Sequence, residues 1–233
     1  MNIETIFSLS FKIFNKTLRS VLPFIVFYNI FIIFMTSFFS VENIIDSSII
    51  TLQTIIPLLF IYIIQLLYFI LITQFIFNKI KKTKIRFNII IVIQSLLRII
   101  GVYLFILVPP IIIIMGLILL NSNFSFLLGV IPLLLFITIF FNYLIINNQK
   151  NIVESIIGSY QIIANNLSET LILVMINIVF IFFIIIVSVI GGQILPIILS
   201  SILINILNYF ISIFNIQFYY LINSKFNGKN INE

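Results

Sequence analysis

The 233 residues include no Cys, no His and no Trp, and Ala164 is the only alanine. Without thiols there is no disulfide framework and no cysteine nucleophile. Without imidazoles the usual general base and the commonest transition-metal ligand are also missing. Charge is scarce as well: 8% of the residues are Asp, Glu, Lys or Arg, against about a quarter in soluble proteins. What remains contains no set of nucleophile, base and orienting group and no Gly-rich loop to cradle phosphate, so neither an enzyme nor a cofactor is expected.

What is abundant is apolar: 62% of the residues are hydrophobic, and the mean hydropathy is +1.33. The expected class is an all-α membrane protein. It is read as a single polytopic domain over residues 1–233, because no stretch outside the apolar runs can bury a core of its own. Crossing about 30 Å of hydrocarbon takes roughly 20 helical residues. That length predicts six transmembrane helices, at residues 21–39, 55–77, 99–120, 124–146, 171–190 and 196–222. The first run is too long for a signal-peptide core, and "MTSFFSVEN" at its end lacks a small-residue cleavage site, so it is expected as an uncleaved span.

Orientation follows from Lys and Arg. Lys12, Lys16 and Arg19 precede the first span, while Lys79, Lys81, Lys82, Lys84, Arg86 and Arg98 lie between the second and third. Lys150 lies between the fourth and fifth, and Lys225 and Lys229 follow the sixth. Six spans put all of these on one side, which predicts cytoplasmic termini. The net charge of +6 then reads as a topology signal, and nucleic acid is not an expected partner. The run "NKIKKTKIR", with Lys79, Lys81, Lys82, Lys84 and Arg86, also suits contact with anionic lipid head groups.

Amphipathic segments alternate with the spans. In residues 151–168, Ile152, Val153, Ile156, Ile157, Tyr160, Ile163, Ala164 and Leu167 fall at helical spacing opposite Asn151, Glu154, Ser155, Gln161, Asn165 and Ser168. Near the start, Ile3, Ile6, Phe7, Ile13, Phe14 and Leu18 oppose Glu4, Ser8, Lys12, Asn15, Lys16 and Arg19; residues 85–98 are a less regular third case. The pattern suggests three helix-plus-hairpin units, each a cytoplasmic amphipathic helix followed by two spans. Pro109 and Pro110 should kink the third span and Pro132 the fourth, either as a hinge opening a cavity or as a static bend. Gly191–Gly192 is read as the tight turn between the fifth and sixth spans. Glu42 with Asp46, and Glu154 with Glu169, are read as solvated loop charges and helix-end charges.

The segment "QKNIVESIIGSYQIIANNLSETLILV", which follows the Pro-containing helix "GVIPLLLFITIFFNYLIIN", together with the closing "NIQFYYLINS", resembles the YciC-like uncharacterised inner-membrane proteins of enterobacteria. The likeness runs over most of the chain through short hydrophobic motifs. It implies six spans and a bacterial cytoplasmic-membrane location, and it carries no catalytic or binding residues.

The spans have no ionisable side chain away from their ends, which argues against proton relays and ion-coupled transport. One polar pattern stands out. Ser201, Asn205, Asn208, Ser212 and Asn215 recur at spacings of four, three, four and three along the sixth span. A high Asn content suits an A+T-rich genome, but compositional bias would scatter the residues and not phase them onto one face. The stripe is expected to join helices through hydrogen bonds, or alternatively to line a solute pathway. The corresponding readings are a non-catalytic multi-pass protein that organises or assists lipids or other membrane proteins, and a carrier or channel for a small uncharged or amphiphilic solute.

Overall fold

Ile-rich sequence favours strands in water, but inside a bilayer each backbone N–H and C=O must find a partner within the protein, and a helix supplies it locally. The computed structural model describes residues 3–38, 52–81, 83, 88–119, 140–194 and 196–226. All regular structure among the described residues is helical: α1 (Ile3–Phe38), α2 (Leu52–Ile80), α3 (Ile89–Leu119), α4 (Phe141–Asn148), α5 (Ile152–Asn165), α6 (Leu167–Ile194) and α7 (Ile197–Phe226). Among them, α1, α2, α3, α6 and α7 are long and apolar enough to cross a membrane. Phe24, Phe27, Phe34 and Phe38 on α1, and Met175, Val179, Phe182 and Val189 on α6, are exposed, as side chains in contact with lipid would be.

Several boundaries differ from the sequence expectation. The amphipathic segment at the start is no separate element, because α1 continues through it into the first span as one 36-residue helix. Ile6, Ser10, Thr17, Val21, Ile25 and Asn29 form its buried seam, spaced so that packing has no reason to break the helix between the two halves. Pro23 interrupts it little; the ring removes one backbone donor and leaves the helix assigned without a gap. Residues 89–98 likewise merge with the third span in α3, which remains helical across Pro109 and Pro110. Gly191 and Gly192 lie inside α6, which runs to Ile194, and α7 starts after Pro196, whose carbonyl accepts from the Leu199 and Ser200 amides at 2.9 and 3.1 Å. Most of the span expected at 124–146 lies outside the described residues, as do Glu42, Asp46 and Pro132; its described end forms α4.

The chain divides into two compact units. The first contains residues 1–83 and 171–218, hence α1, α2 and most of α6 and α7. Within it α1 and α7 run antiparallel: Phe7 meets the Phe214 ring at 4.7 Å, Thr17 meets Tyr209, and Asn29 meets Ser201. Tyr28 of α1 stacks on Tyr68 of α2, centroid to centroid at 4.0 Å and 15° between planes. The second unit contains residues 84–170 and 219–233, hence α3, α4 and α5 with the adjoining ends of α6 and α7.

In the second unit the joints are short and hydrogen-bonded. α4 ends at Gln149, a left-handed residue (φ 55°, ψ 27°) whose N–H donates to the Ile145 carbonyl at 3.1 Å. Asn151 caps α5: its Oδ1 accepts from the Glu154 N–H at 2.9 Å, and its Nδ2 donates back to Glu154 Oε1 at 2.9 Å. Asn166 alone separates α5 from α6; its Nδ2 donates to the Ile162 carbonyl at 3.0 Å, and its own carbonyl accepts from the Thr170 N–H at 2.9 Å.

The amphipathic helix forms where expected, and the side chains it buries are mostly small. Ser155, Gly158, Ser159, Ile162 and Ile163 are buried, whereas Val153, Ile157 and Tyr160 are 62%, 50% and 58% exposed. Small side chains let α5 approach α4 closely; a Cβ at Gly158 would lie 3.0 Å from Leu144 Cδ1. The exposed apolar residues form an outward surface suited to a bilayer interface.

Candidate functional site

The five stripe residues lie on one side of α7 and meet three different environments, all within the first unit. At one end, Ser201 Oγ and Asn205 Nδ2 both donate to Asn29 Oδ1 of α1, the second at 2.8 Å. Asn29 is buried, and its Nδ2 donates to the Ile25 carbonyl one turn earlier at 2.7 Å, so its carboxamide is used on both sides. At the other end, Asn215 and Asn177 of α6 exchange two amide hydrogen bonds, each 3.0 Å long. A reciprocal carboxamide pair uses one donor and one acceptor from each side chain, an efficient way to bury two amides in a bilayer. On the flank of the stripe, Tyr209 Oη donates to Thr17 Oγ1 at 2.7 Å, and Thr17 donates to the Ile13 carbonyl at 2.7 Å.

Between these ends the stripe meets open space. A cavity of about 170 Å³ separates α7 from α2, with Tyr68 and Phe69 on one wall and Asn205, Asn208, Tyr209 and Ser212 on the other. Ser212 Oγ is occupied by the Asn208 carbonyl at 2.8 Å, while the Asn208 side chain is exposed and unpaired among the described residues. Among the described residues, no carboxylate, ammonium or guanidinium lines the cavity. Neither a family model, nor a curated protein, nor a solved structure matches the chain. The functional reading accordingly rests on these contacts.

Asn29 and Asn177 did not figure among the sequence candidates, although a signal was present. Each is the only carboxamide in its expected span, residues 21–39 and 171–190. A periodic stripe on one helix calls for partners on others, and solitary Asn residues in neighbouring spans are the natural ones.

The basic run is described only in part. Lys82, Lys84 and Arg86 lie outside the described residues. Lys79 sits in the last turn of α2 with its Nζ 5.5 Å from the Phe75 ring centre, and Lys81 Nζ is 6.0 Å from that of Phe77. Desolvation there lowers the Lys81 ammonium pKa below its ordinary 10.5. Thr83 Oγ1 donates to Asn78 Oδ1 at 3.0 Å, closing the turn after α2.

Proposed function

We propose that this is a non-catalytic, multi-pass protein of the bacterial cytoplasmic membrane, YciC-like in its element order, with six spans and cytoplasmic termini, which organises or assists lipids or other membrane proteins. The observation that carries the reading is the use of the α7 polar face. Asn29 accepts from both Ser201 and Asn205, and Asn177 exchanges two bonds with Asn215, so those carboxamides are committed to neighbouring helices. A conducting path would instead need its polar groups directed at solute along its length. The basic residues gathered between and beside the spans support the orientation and an affinity for anionic head groups.

A second reading, a carrier for a small uncharged solute, is favoured by one feature: the cavity beside Asn208 and Ser212. Single substitutions to Cys separate the two, because no native thiol competes. With a membrane-impermeant maleimide, Ser201→Cys, Asn205→Cys and Asn215→Cys are expected to stay unlabelled in intact membranes. Labelling along the whole stripe, at positions 201, 205, 208, 212 and 215 alike, would overturn the packing reading in favour of transport.

A further inference from the structure

Lys150 occupies an unusual place for an ammonium group. It follows the left-handed Gln149 and precedes the α5 cap, and Arg98 of α3 holds this turn by donating from Nη1 to the Gln149 carbonyl at 2.6 Å and the Lys150 carbonyl at 3.3 Å. The turn directs Lys150 back across α5, where its Nζ lies 3.5 Å from the position a Cβ would take on Gly158. Lys150 is half-buried and makes no ion pair among the described residues. Half-buried ammonium groups ordinarily face a carboxylate or another anion, since desolvation without a counter-charge is costly.

In place of a carboxylate, Lys150 faces a cavity of about 180 Å³ whose other polar walls are Asn148, Gln161 and Asn223. Among the described residues, no acidic side chain lines it. One cation together with three carboxamide side chains in the cavity wall offers the kind of donor that a phosphate oxyanion accepts from. Asn223 ends the apolar stretch Ile197–Asn223 of α7, so in the proposed bilayer location the cavity falls where hydrocarbon gives way to head groups. Beside Gly158 and Gln161 on the same helix lie the exposed Val153, Ile157 and Tyr160, an apolar surface for acyl chains. A soluble anion would have no use for that surface.

We infer that the cavity under Lys150 binds the head group of an anionic phospholipid, with its acyl chains along the Val153, Ile157 and Tyr160 face. This rests on the proposed bilayer location and names a lipid class for it, at a site separate from the 79–86 run. Arg98 acts as a positioning residue, holding the turn through backbone carbonyls that survive any substitution of the Lys150 side chain.

The test uses the purified full chain in neutral detergent, titrated with phosphatidylglycerol or phosphatidylcholine and read by native mass spectrometry. The wild type is expected to retain phosphatidylglycerol preferentially. Lys150→Gln should weaken that retention about five-fold, and Lys150→Arg should restore it. Equal retention of the two lipids by the wild type, or undiminished retention by Lys150→Gln, overturns the site. Saturation by millimolar inorganic phosphate that depends on Lys150, without lipid preference, overturns the lipid assignment. The membrane location is checked separately by extraction of the same variants from membranes, so its failure and that of the site are told apart.

Discussion

Asn29 accepts two hydrogen bonds with one oxygen, so its removal strands two donors on α7 at once. Intramembrane hydrogen bonds are worth roughly 0.6 kcal/mol each and at most about 1.7. Donors left unpaired in a dry site cost about 1–3 kcal/mol. Asn29→Leu is therefore expected to destabilise the fold by about 1–3 kcal/mol, measured by SDS-induced unfolding in mixed micelles. The Asn177 and Asn215 pair allows a cleaner measurement. Substituting either by Leu leaves the other carboxamide alone, whereas substituting both replaces a polar pair with an apolar one. A double-mutant cycle should give a coupling of about 0.5–2 kcal/mol, and a coupling near zero would mean that each side chain finds another partner when its mate is lost. At this scale the stripe was legible, because phase on one helix is a local property. Its division among Asn29, the cavity and Asn177 was not, since which helix lies against each end of α7 depends on tertiary arrangement.

Among the elements, apolar length was the readable quantity and joints were the difficult one. The apolar stretches of α1, α2, α6 and α7 cover expected spans because twenty apolar residues in succession have few alternatives, whereas that of α3, Ile89–Ile106, overlaps the expected 99–120 only at its beginning. Fusion of the first amphipathic segment into α1 was concealed by charge. Lys12, Lys16 and Arg19 look like a boundary in sequence, yet all three are exposed on a helix whose seam of Ile6, Ser10, Thr17 and Val21 runs on beneath them. Which side chains of α5 are buried was hidden in a similar way. Hydropathy ranks Val153 and Ile157 above Ser155 and Gly158, but close packing against Leu144 selects for size. Gly101 shows the same constraint on α3, where a Cβ would come within 2.6 Å of Ile152 Cδ1. That atom is the end of a flexible side chain, and Ala is about 1 kcal/mol better than Gly within a helix. Gly101→Ala should accordingly be nearly neutral. Gly101→Leu should cost about 1–3 kcal/mol through overpacking, and Ile152→Val in the same chain should recover part of the loss in an unfolding measurement.

For the whole molecule, the proposed orientation rests on where Lys and Arg fall relative to the expected spans. Replacing Lys79, Lys81, Lys82, Lys84 and Arg86 together with Gln removes five of the twelve basic residues and should produce mixed orientation, read by reporter fusions at both termini. Unchanged reporters would mean that Lys12, Lys16 and Arg19 suffice. The pairing of α1 with α7 also fixes an order in time. Asn29 and Ser201 are separated by 172 residues, and at about 5–20 residues per second the ribosome needs on the order of ten to thirty seconds to bridge that distance. A chain ended at residue 195 never supplies Ser201 or Asn205; in a pulse-chase experiment it should be degraded faster than the full chain, while Asn29→Leu should lengthen the truncated chain's half-life. Until the last helix is made, the Asn29 oxygen lacks both of the α7 donors it accepts from in the finished fold, so the residue that ties the ends of the first unit together is the one that waits longest for its partners.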